Sequence, residues 1–197
     1  LHAFPTRRSS DLEGLAGEEA EPSIAPEIKS LHDVVLPFTR GIMGSFDYTP
    51  QIYKASKTHC HQVAMLGVYL GRASVRAGMK QWSPGGEGGG EVEFAEKMPG
   101  LTDALKVTAD LGKSVTVARR KGADWYVASL SGPKAAAYPY PLSFLTPGRS
   151  YRATLFSDEP GGRKALRAQQ SVNSQSVLTI AMEPNGGHLM IIEAVTP

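Results

Sequence analysis

The most constraining feature of this chain is a regular alternation of short β-rich runs and turn clusters in its carboxy-terminal half. The runs are "SVTVA", "DWYVASL", "YPLSF", "YRATLFS", "SVLTIAM" and "HLMIIEAV", and the turn clusters are "RKGAD", "TPGRS", "DEPGG" and "EPNGG". Short strands at this spacing are typical of a β-sandwich. The pattern therefore predicts an all-β antiparallel sandwich over residues 104–197, with these core members: Trp125, Phe144, Leu155, Ile180 and Ile191.

Composition and charge narrow the classes of function. The chain has 197 residues, 41% of them hydrophobic, and a formal net charge of +2. So small a charge does not indicate a nucleic-acid partner or a membrane surface. No run approaches the roughly 18 apolar residues of a membrane helix. The single cysteine, Cys60, cannot form a disulfide within the chain. We therefore expect neither a nucleic-acid partner nor a membrane span.

The first twelve residues, "LHAFPTRRSSDL", have neither a helical nor a strand period. Residues 4–12 resemble the in-frame translation of a common DNA-sequencing adaptor. We therefore exclude residues 1–12 from fold reasoning, as one excludes a cloning remnant. This origin predicts a truncated chain that has lost an upstream domain.

The run "DVVLPFT", residues 33–39, is mostly apolar and is bounded by charged and turn residues. Such a run predicts a strand buried on both faces, as in parallel sheets. Pro37 argues against ladder pairing beyond Leu36. Arg40 then lies near the end of the strand, where a loop that contains Asp47 begins.

Residues 56–77 predict a buried helix that packs on a sheet. Ser56 or Thr58 can cap its first turn. Gly67 and Gly71, at positions i and i+4, have no side chains and so allow a neighbouring element to approach closely. A flexible Gly-rich connector and a short helix near residues 92–98 follow.

Two histidines, His59 and His61, lie near the start of this helix. Their spacing of two residues does not match the i, i+4 spacing of helical metal ligands. We therefore expect them to cap the helix or to pack against its neighbours, and we expect Cys60 to be a small core residue.

Four blocks of the sequence are specific enough to suggest a family. These are "HDVVLPFTRGIMGSFDYTP", a helix with the pattern "TH-x-HQVAM", "VTVARRKGADWYVA" and "LSFLTPGRSYRATLFSD". Together they resemble the carboxy-terminal part of glycoside hydrolase family 97, and the resemblance covers the chain from Glu13 onward. Members of that family have an N-terminal β-sandwich, a catalytic (β/α)8 barrel and a C-terminal β-sandwich. The resemblance implies an α+β chain, in which residues 13–103 form the last strands and helix of the barrel and residues 104–197 form the sandwich.

The resemblance also implies an activity and a set of site residues. Family members are calcium-dependent and cleave terminal α-glucosidic or α-galactosidic bonds of an oligosaccharide, in a periplasmic or secreted setting. The family motif Glu-Gly-x-x-Gly-x-Glu corresponds to "EGLAGEE" here, which makes Glu13 a calcium ligand and Glu19 both the general acid and a metal neighbour. Arg40 and Asp47 belong at the rim of the barrel, or else they form a structural ion pair. Both alternatives stay open.

The residues themselves give the acidic cluster two interpretations. Charge runs are usually solvated surface. Alternatively, Gly14 and Gly17 allow a tight turn that aims Glu13 and Glu19 into one pocket. Glycoside cleavage requires two carboxyl groups, and calcium requires 6–8 oxygen ligands. The resemblance implies that the second carboxylate and the other calcium ligands lie upstream, so we expect this chain alone to be catalytically inactive.

Two classes of function therefore remain. The first is a fragment of a calcium-dependent α-glycosidase. The second is a non-catalytic β-sandwich module for homo-oligomerisation, the role associated with this sandwich in the family, or for carbohydrate binding. Trp125, Tyr138 and Tyr140 could stack on sugars, although the core or a turn is the expected place of each.

Overall fold

The computed structural model describes residues 25–43, 58–69, 90–160 and 165–195. Its helical elements are α1 (Pro26–Val35), two 3-10 turns (Leu36–Phe38 and Arg40–Met43), α2 (His59–Val68) and α3 (Val92–Lys97). Pro26 and Glu27 lie in the first turn of α1, where a missing N–H and a negative charge are both favourable. At the start of α2 the Thr58 hydroxyl accepts a hydrogen bond of 3.0 Å from the His61 N–H, which confirms Thr58 as the cap.

Eight strands follow: β1 (Ala104–Asp110), β2 (Ser114–Lys121), β3 (Asp124–Ser131), β4 (Ala136–Pro141), β5 (Tyr151–Asp158), β6 (Ala165–Val172), β7 (Val177–Met182) and β8 (Gly187–Ala194). They form a six-stranded sheet in the order β1-β2-β3-β8-β5-β6 and a two-stranded sheet of β4 and β7. All pairings are antiparallel. In the six-stranded sheet, β1 and β6 are therefore the edge strands.

The six-stranded sheet has a different cover on each face. One face, which we call the helix face, packs against the helices through a cluster that includes Val117, Ala128 and Ile191. The opposite face packs against β4 and β7 through a cluster that includes Trp125 and Met190. Because strand residues alternate between faces, odd-numbered residues of β2 and even-numbered residues of β3 lie on the helix face.

Gly67 of α2 and Gly187 of β8 account for the close contact between this helix and the sheet. A Cβ on Gly67 would meet the Cβ of Ala128, and a Cβ on Gly187 would meet the backbone of Cys60 and His61. The predicted close approach is therefore confirmed at Gly67, and Gly71 lies outside the described residues.

The prediction of a buried strand at "DVVLPFT" is wrong. Asp33 to Val35 end α1, and Leu36 to Phe38 form a 3-10 turn. A short apolar run cannot be assigned to a strand or a helix by its pattern alone. Here the helix that begins at Pro26 continues into the run and ends at Val35. The described residues consequently do not show the barrel portion predicted for residues 13–103.

The antiparallel sandwich, in contrast, is confirmed. Trp125, Ile180 and Ile191 are buried, and Phe144 and Leu155 are partly buried against the core. Two strands, β1 and β6, were absent from the predicted runs, and β4 occupies Ala136–Pro141 in place of "YPLSF". The proposed boundary between residues 103 and 104 stays a prediction.

Candidate association surface

Most residues predicted for a catalytic or metal site lie outside the described residues. This holds for Glu13, Glu19 and Asp47. Arg40 begins the second 3-10 turn and is half-buried, so the prediction that it lies near the end of a strand is wrong. In the part of the chain that the structure describes, no three His, Cys, Asp or Glu side chains are grouped so that they could hold a metal ion. The roles assigned to these four residues stay predictions.

His61 packs between three elements, as expected for a structural histidine. Its Nδ1 lies 2.9 Å from the Gly186 carbonyl oxygen, and its Nε2 lies 3.0 Å from Asp33 Oδ2. The carbonyl can only accept, so Nδ1 carries a hydrogen, and the second contact holds one more proton on Nε2 or on Oδ2. Both side chains are fully buried. This pair joins α1, α2 and the turn before β8.

Two further acidic groups lie close to the start of α2. His59 Nδ1 lies 3.2 Å from Glu91 Oε1. Asp158 Oδ2 accepts a hydrogen bond of 2.9 Å from the Gly187 N–H, and burial raises the pKa of this carboxyl. Burial, followed by the negative charges of Asp158 and Glu91, raises the pKa of the Cys60 thiol well above its ordinary value. Cys60 is therefore a packed, protonated thiol and not a nucleophile.

Arg119 of β2 fixes the other end of α2. Its Nε donates to the Gly67 carbonyl oxygen at 2.7 Å, and its Nη2 donates to the Tyr69 carbonyl oxygen at 2.8 Å. These carbonyls belong to the end of the helix, which lacks intrahelical donors and carries partial negative charge. Burial lowers the pKa of Arg119 to about 10, so the guanidinium is still charged at neutral pH.

Strand β1 extends beyond the area that the helices cover. The register places Leu105, Val107 and Ala109 opposite Arg119, Val117 and Val115, and therefore on the helix face. Leu105 is nevertheless 49% exposed and Val107 is 46% exposed, and Leu111 in the following turn is 66% exposed. Among the described residues, no strand pairs with the outer side of β1. We call Leu105, Val107, Ala109 and Leu111 the β1 apolar row.

The other face of β1 carries two opposite charges. Lys106 places its Nζ 5.2 Å from the centre of the Phe144 ring. Asp110 Oδ2 lies 2.9 Å from Lys113 Nζ, and both of these side chains are well exposed. An exposed apolar row on an edge strand, whose outer side pairs with no described strand, is a candidate association surface.

The aromatic residues considered for carbohydrate stacking have other roles. Trp125 and Tyr140 are buried in the core, and the Tyr138 hydroxyl lies 2.6 Å from Thr116 Oγ1. A groove of about 710 Å³ lies beside β1, between the end of that strand and the start of β4. The one aromatic side chain in its lining is Tyr138, so the groove offers no stacking platform of free aromatic rings.

Sequence reasoning gives Arg119 no role, because a basic run such as "VARRKG" is usually a solvated strand end. The alternation Val115, Val117, Arg119 could have placed its side chain on the buried face. Nothing in the sequence indicates the contact between Asp33 and His61, which are 28 positions apart. The structure brings them together through the packing of α1 beside α2.

Comparisons with known proteins show which family the sandwich resembles. Residues 102–193 match the family model described as "Glycosyl-hydrolase 97 C-terminal, oligomerisation". A curated retaining alpha-galactosidase from Bacteroides thetaiotaomicron is 26% identical over 93% of this chain and 30% of its own length. A probable retaining alpha-galactosidase from Streptomyces bingchenggensis is 25% identical over 91% of this chain and 28% of its own length. The chain thus spans under a third of these relatives.

Solved structures show the same fold. A family 97 enzyme from Pseudoalteromonas sp. strain K8, in complex with panose, superposes with a TM-score of 0.70 at 19% identity, covering 85% of this chain and 29% of that one. A beta-arabinopyranosidase gives a TM-score of 0.68 at 19% identity, covering 84% of this chain and 28% of that one. No helix among the described residues has the length and apolar character needed to cross a membrane. The resemblance found in the sequence is confirmed for residues 102–193, which match the model of the C-terminal domain of glycoside hydrolase family 97.

Proposed function

We propose that the β-sandwich is the self-association domain of a family 97 glycoside hydrolase. The observation that carries this proposal is the β1 apolar row. Three of its members, Leu105, Val107 and Leu111, are large hydrophobic side chains that are about half exposed or more. The description of the matching family model as an oligomerisation domain supports the same function.

The other parts of the six-stranded sheet are covered by helices or by the two-stranded sheet, and this contrast with β1 supports the assignment. On the helix face, Val115 and Val117 of β2 are buried beneath helices, whereas the neighbouring β1 side chains are not. On the opposite face, the two-stranded sheet covers the core. Carbohydrate binding receives less support, because Trp125 and Tyr140 are buried and the Tyr138 hydroxyl is hydrogen-bonded.

Sedimentation velocity of the 197-residue chain over a wide range of concentrations tests self-association. We expect the weight-average sedimentation coefficient to rise with concentration from the value of a monomer to that of a compact dimer. A coefficient that stays at the monomer value at every concentration would contradict the proposed function.

A second candidate function is a contribution to α-galactoside hydrolysis. The observation that favours it is that curated retaining alpha-galactosidases align with this chain over 93% and 91% of its length. In this proposal Glu19 is the general acid, Glu13 and Glu19 hold calcium, and Arg40 and Asp47 contact the rim of the site. The substrate is an α-linked oligosaccharide, and the protein acts in the periplasm or outside the cell.

The donor chemistry of Glu13 and Glu19 fits calcium, which prefers hard oxygen ligands. Two carboxylates supply at most about four of the 6–8 oxygens that calcium binds, so other groups must complete the site. When bound, the ion would supply positive charge near the acid. The residues assigned here include no second catalytic carboxylate, so we expect this chain alone to release no nitrophenol from a nitrophenyl α-galactoside.

Titration calorimetry with calcium chloride tests the metal assignment. We expect weak binding to the unaltered chain, loss of that binding in Glu13→Gln and in Glu19→Gln, and no change in the control Glu18→Gln. Equal binding by all four proteins would show that Glu13 and Glu19 do not hold the ion.

A further inference from the structure

We infer that two copies of this chain associate through β1, antiparallel and about a two-fold axis at Thr108, so that their six-stranded sheets become one continuous sheet. The inference rests on the proposed self-association function and assigns its contact surface. Backbone groups on the outer side of an edge strand are available for such pairing.

The alternation of side chains limits the possible registers. A two-fold axis perpendicular to the sheet keeps the helix face of one copy beside the helix face of the other. A residue of β1 must then lie opposite its own equivalent, because directly opposed residues in an antiparallel pair share a face. The central choices are Lys106, Val107 and Thr108.

Charge distinguishes these three registers. An axis at Lys106 places two lysines directly opposite each other, which is unfavourable. An axis at Val107 places Lys106 opposite Thr108. An axis at Thr108 places Lys106 of each copy opposite Asp110 of the other, and so forms two pairs of opposite charge. Charge complementarity therefore selects the register centred on Thr108.

The same register joins the β1 apolar rows of the two copies. Val107 lies opposite Ala109 of the second copy, and Leu105 is brought toward Leu111 of the second copy. In the single chain Leu105, Val107 and Leu111 are 49%, 46% and 66% exposed, so their mutual burial removes apolar area from water.

The other edge of the sheet does not have these properties. On β6, Arg167 donates to Glu93 of α3, and its guanidinium lies 6.0 Å from the centre of the Phe156 ring. Gln169 donates to Thr154 of the neighbouring strand. Leu166 is the one large hydrophobic residue of β6 that is well exposed, at 54%. A single apolar side chain among polar ones gives β6 no complementary row.

Lysine on an edge strand often prevents pairing. Here the charge of Lys106 selects the register, because Asp110 lies four positions away on the same face. Asp110 already contacts Lys113, an exposed pair that contributes little by itself and can be shared with Lys106 of the second copy.

A charge-reversal cycle tests the register in the full chain by sedimentation velocity. We expect Lys106→Asp to weaken dimerisation about tenfold, because two attractive pairs become repulsive. The double variant Lys106→Asp with Asp110→Lys should return within about threefold of the unaltered chain, because each position again faces an opposite charge. The matched control is Arg152→Asp, a charge reversal at an exposed residue of β5 far from β1, and it should leave dimerisation unchanged.

Cysteine cross-linking gives an independent test at the resolution of one residue. At a two-fold axis the Cα atoms of the two Thr108 residues are about 4.5–5.5 Å apart, within the range of a disulfide. Thr108→Cys should therefore form a covalent dimer under mild oxidation, and Lys106→Cys should not. Cys60 is fully buried and does not compete.

The outcomes separate the two claims. A monomeric unaltered chain would overturn both the proposed function and the contact surface. A dimeric chain whose affinity does not respond to Lys106→Asp, or in which Thr108→Cys fails to cross-link, would overturn the β1 contact alone. Restored affinity in the double variant together with the Thr108→Cys cross-link would support it.

Discussion

Arg119 and Leu105 lie opposite each other on neighbouring strands and on the same face of the sheet, and their exposures are the reverse of what their chemistry favours. Arg119 is 7% exposed and Leu105 is 49% exposed. The charged residue is buried because the end of α2 lies above it and offers carbonyl oxygens to its guanidinium. The leucine lies beyond the helix. The inversion shows that, in the part of the chain that the structure describes, the helices decide what is covered and leave the helix face of β1 exposed.

The largest expected effect on stability comes from replacing Arg119, the buried residue of this pair. Arg119→Met keeps much of the side-chain volume but leaves the carbonyl oxygens of Gly67 and Tyr69 without a charged donor, so we expect a loss of about 3 kcal/mol in the free energy of unfolding. The adjacent Arg120 is exposed, and Arg120→Met should change it by less than about 0.5 kcal/mol. Urea denaturation measures both. Equal effects would mean that the contacts of Arg119 with α2 contribute nothing.

His188 is a second buried basic residue, and it can be compared with Arg119, whose guanidinium donates to carbonyl oxygens. His188 is buried, its Nδ1 has no hydrogen-bond partner among the described residues, and burial lowers its pKa to about 4. The unfolded chain binds a proton near pH 6.5 and the folded chain only near pH 4, so stability falls as the pH falls through this window. We expect His188 to account for a loss of about 2 kcal/mol between pH 7 and pH 4.5.

The variant His188→Gln isolates this contribution, because glutamine does not titrate. Asp158 acts in the opposite direction: its raised pKa means that protonation favours the folded state as the pH falls. As the pH falls from 7 to 4.5, the unaltered chain should therefore lose more of its free energy of unfolding than His188→Gln loses. Denaturant titrations at several pH values measure it, and identical pH profiles would refute the assignment.

A smaller effect is expected at the opposite end of α2. Thr58→Ala removes the oxygen that accepts from the His61 N–H, and we expect a loss of about 1 kcal/mol. Thr58→Ser keeps that oxygen and should retain most of the stability. If the serine variant loses as much as the alanine variant, then packing and not capping is the contribution of Thr58.

The smallest expected effect on stability comes from replacing Leu105, the exposed residue of the pair. Leu105→Thr, measured at a concentration at which the chain is monomeric, should change the free energy of unfolding by less than about 0.5 kcal/mol. Leu130 on the same face is fully buried, and Leu130→Thr should cost about 3 kcal/mol. A large loss in Leu105→Thr would show that another part of the same chain covers Leu105.

Much of the sandwich could be predicted from the sequence, because strands covered on both faces or on one face carry a readable apolar pattern. The runs that became β2, β3, β5, β7 and β8 are rich in Val, Ile, Leu and aromatic residues. The edge strand β6, "ALRAQQSV", has little to bury and therefore lacks that pattern. β1, "ALKVTAD", does alternate apolar and polar residues, so a search for a period of two could have found this strand.

The helical part was harder to predict, because its structure depends on contacts between distant residues. "DVVLPFT" has the composition of a buried strand, yet Asp33 ends in a contact with His61 that only the folded packing supplies. The Pro26–Glu27 start was the local signal for α1. Of the predicted site residues, the structure describes only Arg40, so the assignments of Glu13, Glu19 and Asp47 still rest on the resemblance.

Hydrogen exchange of the unaltered chain at low and high concentration tests the central claim most directly, because it compares the two edges of the sheet in one sample. If copies associate through β1, amide protection in residues 104–110 rises with concentration, while protection in residues 165–172 of β6 does not. Protection that rises at β6, or that stays constant at β1 while the chain dimerises, would contradict the account.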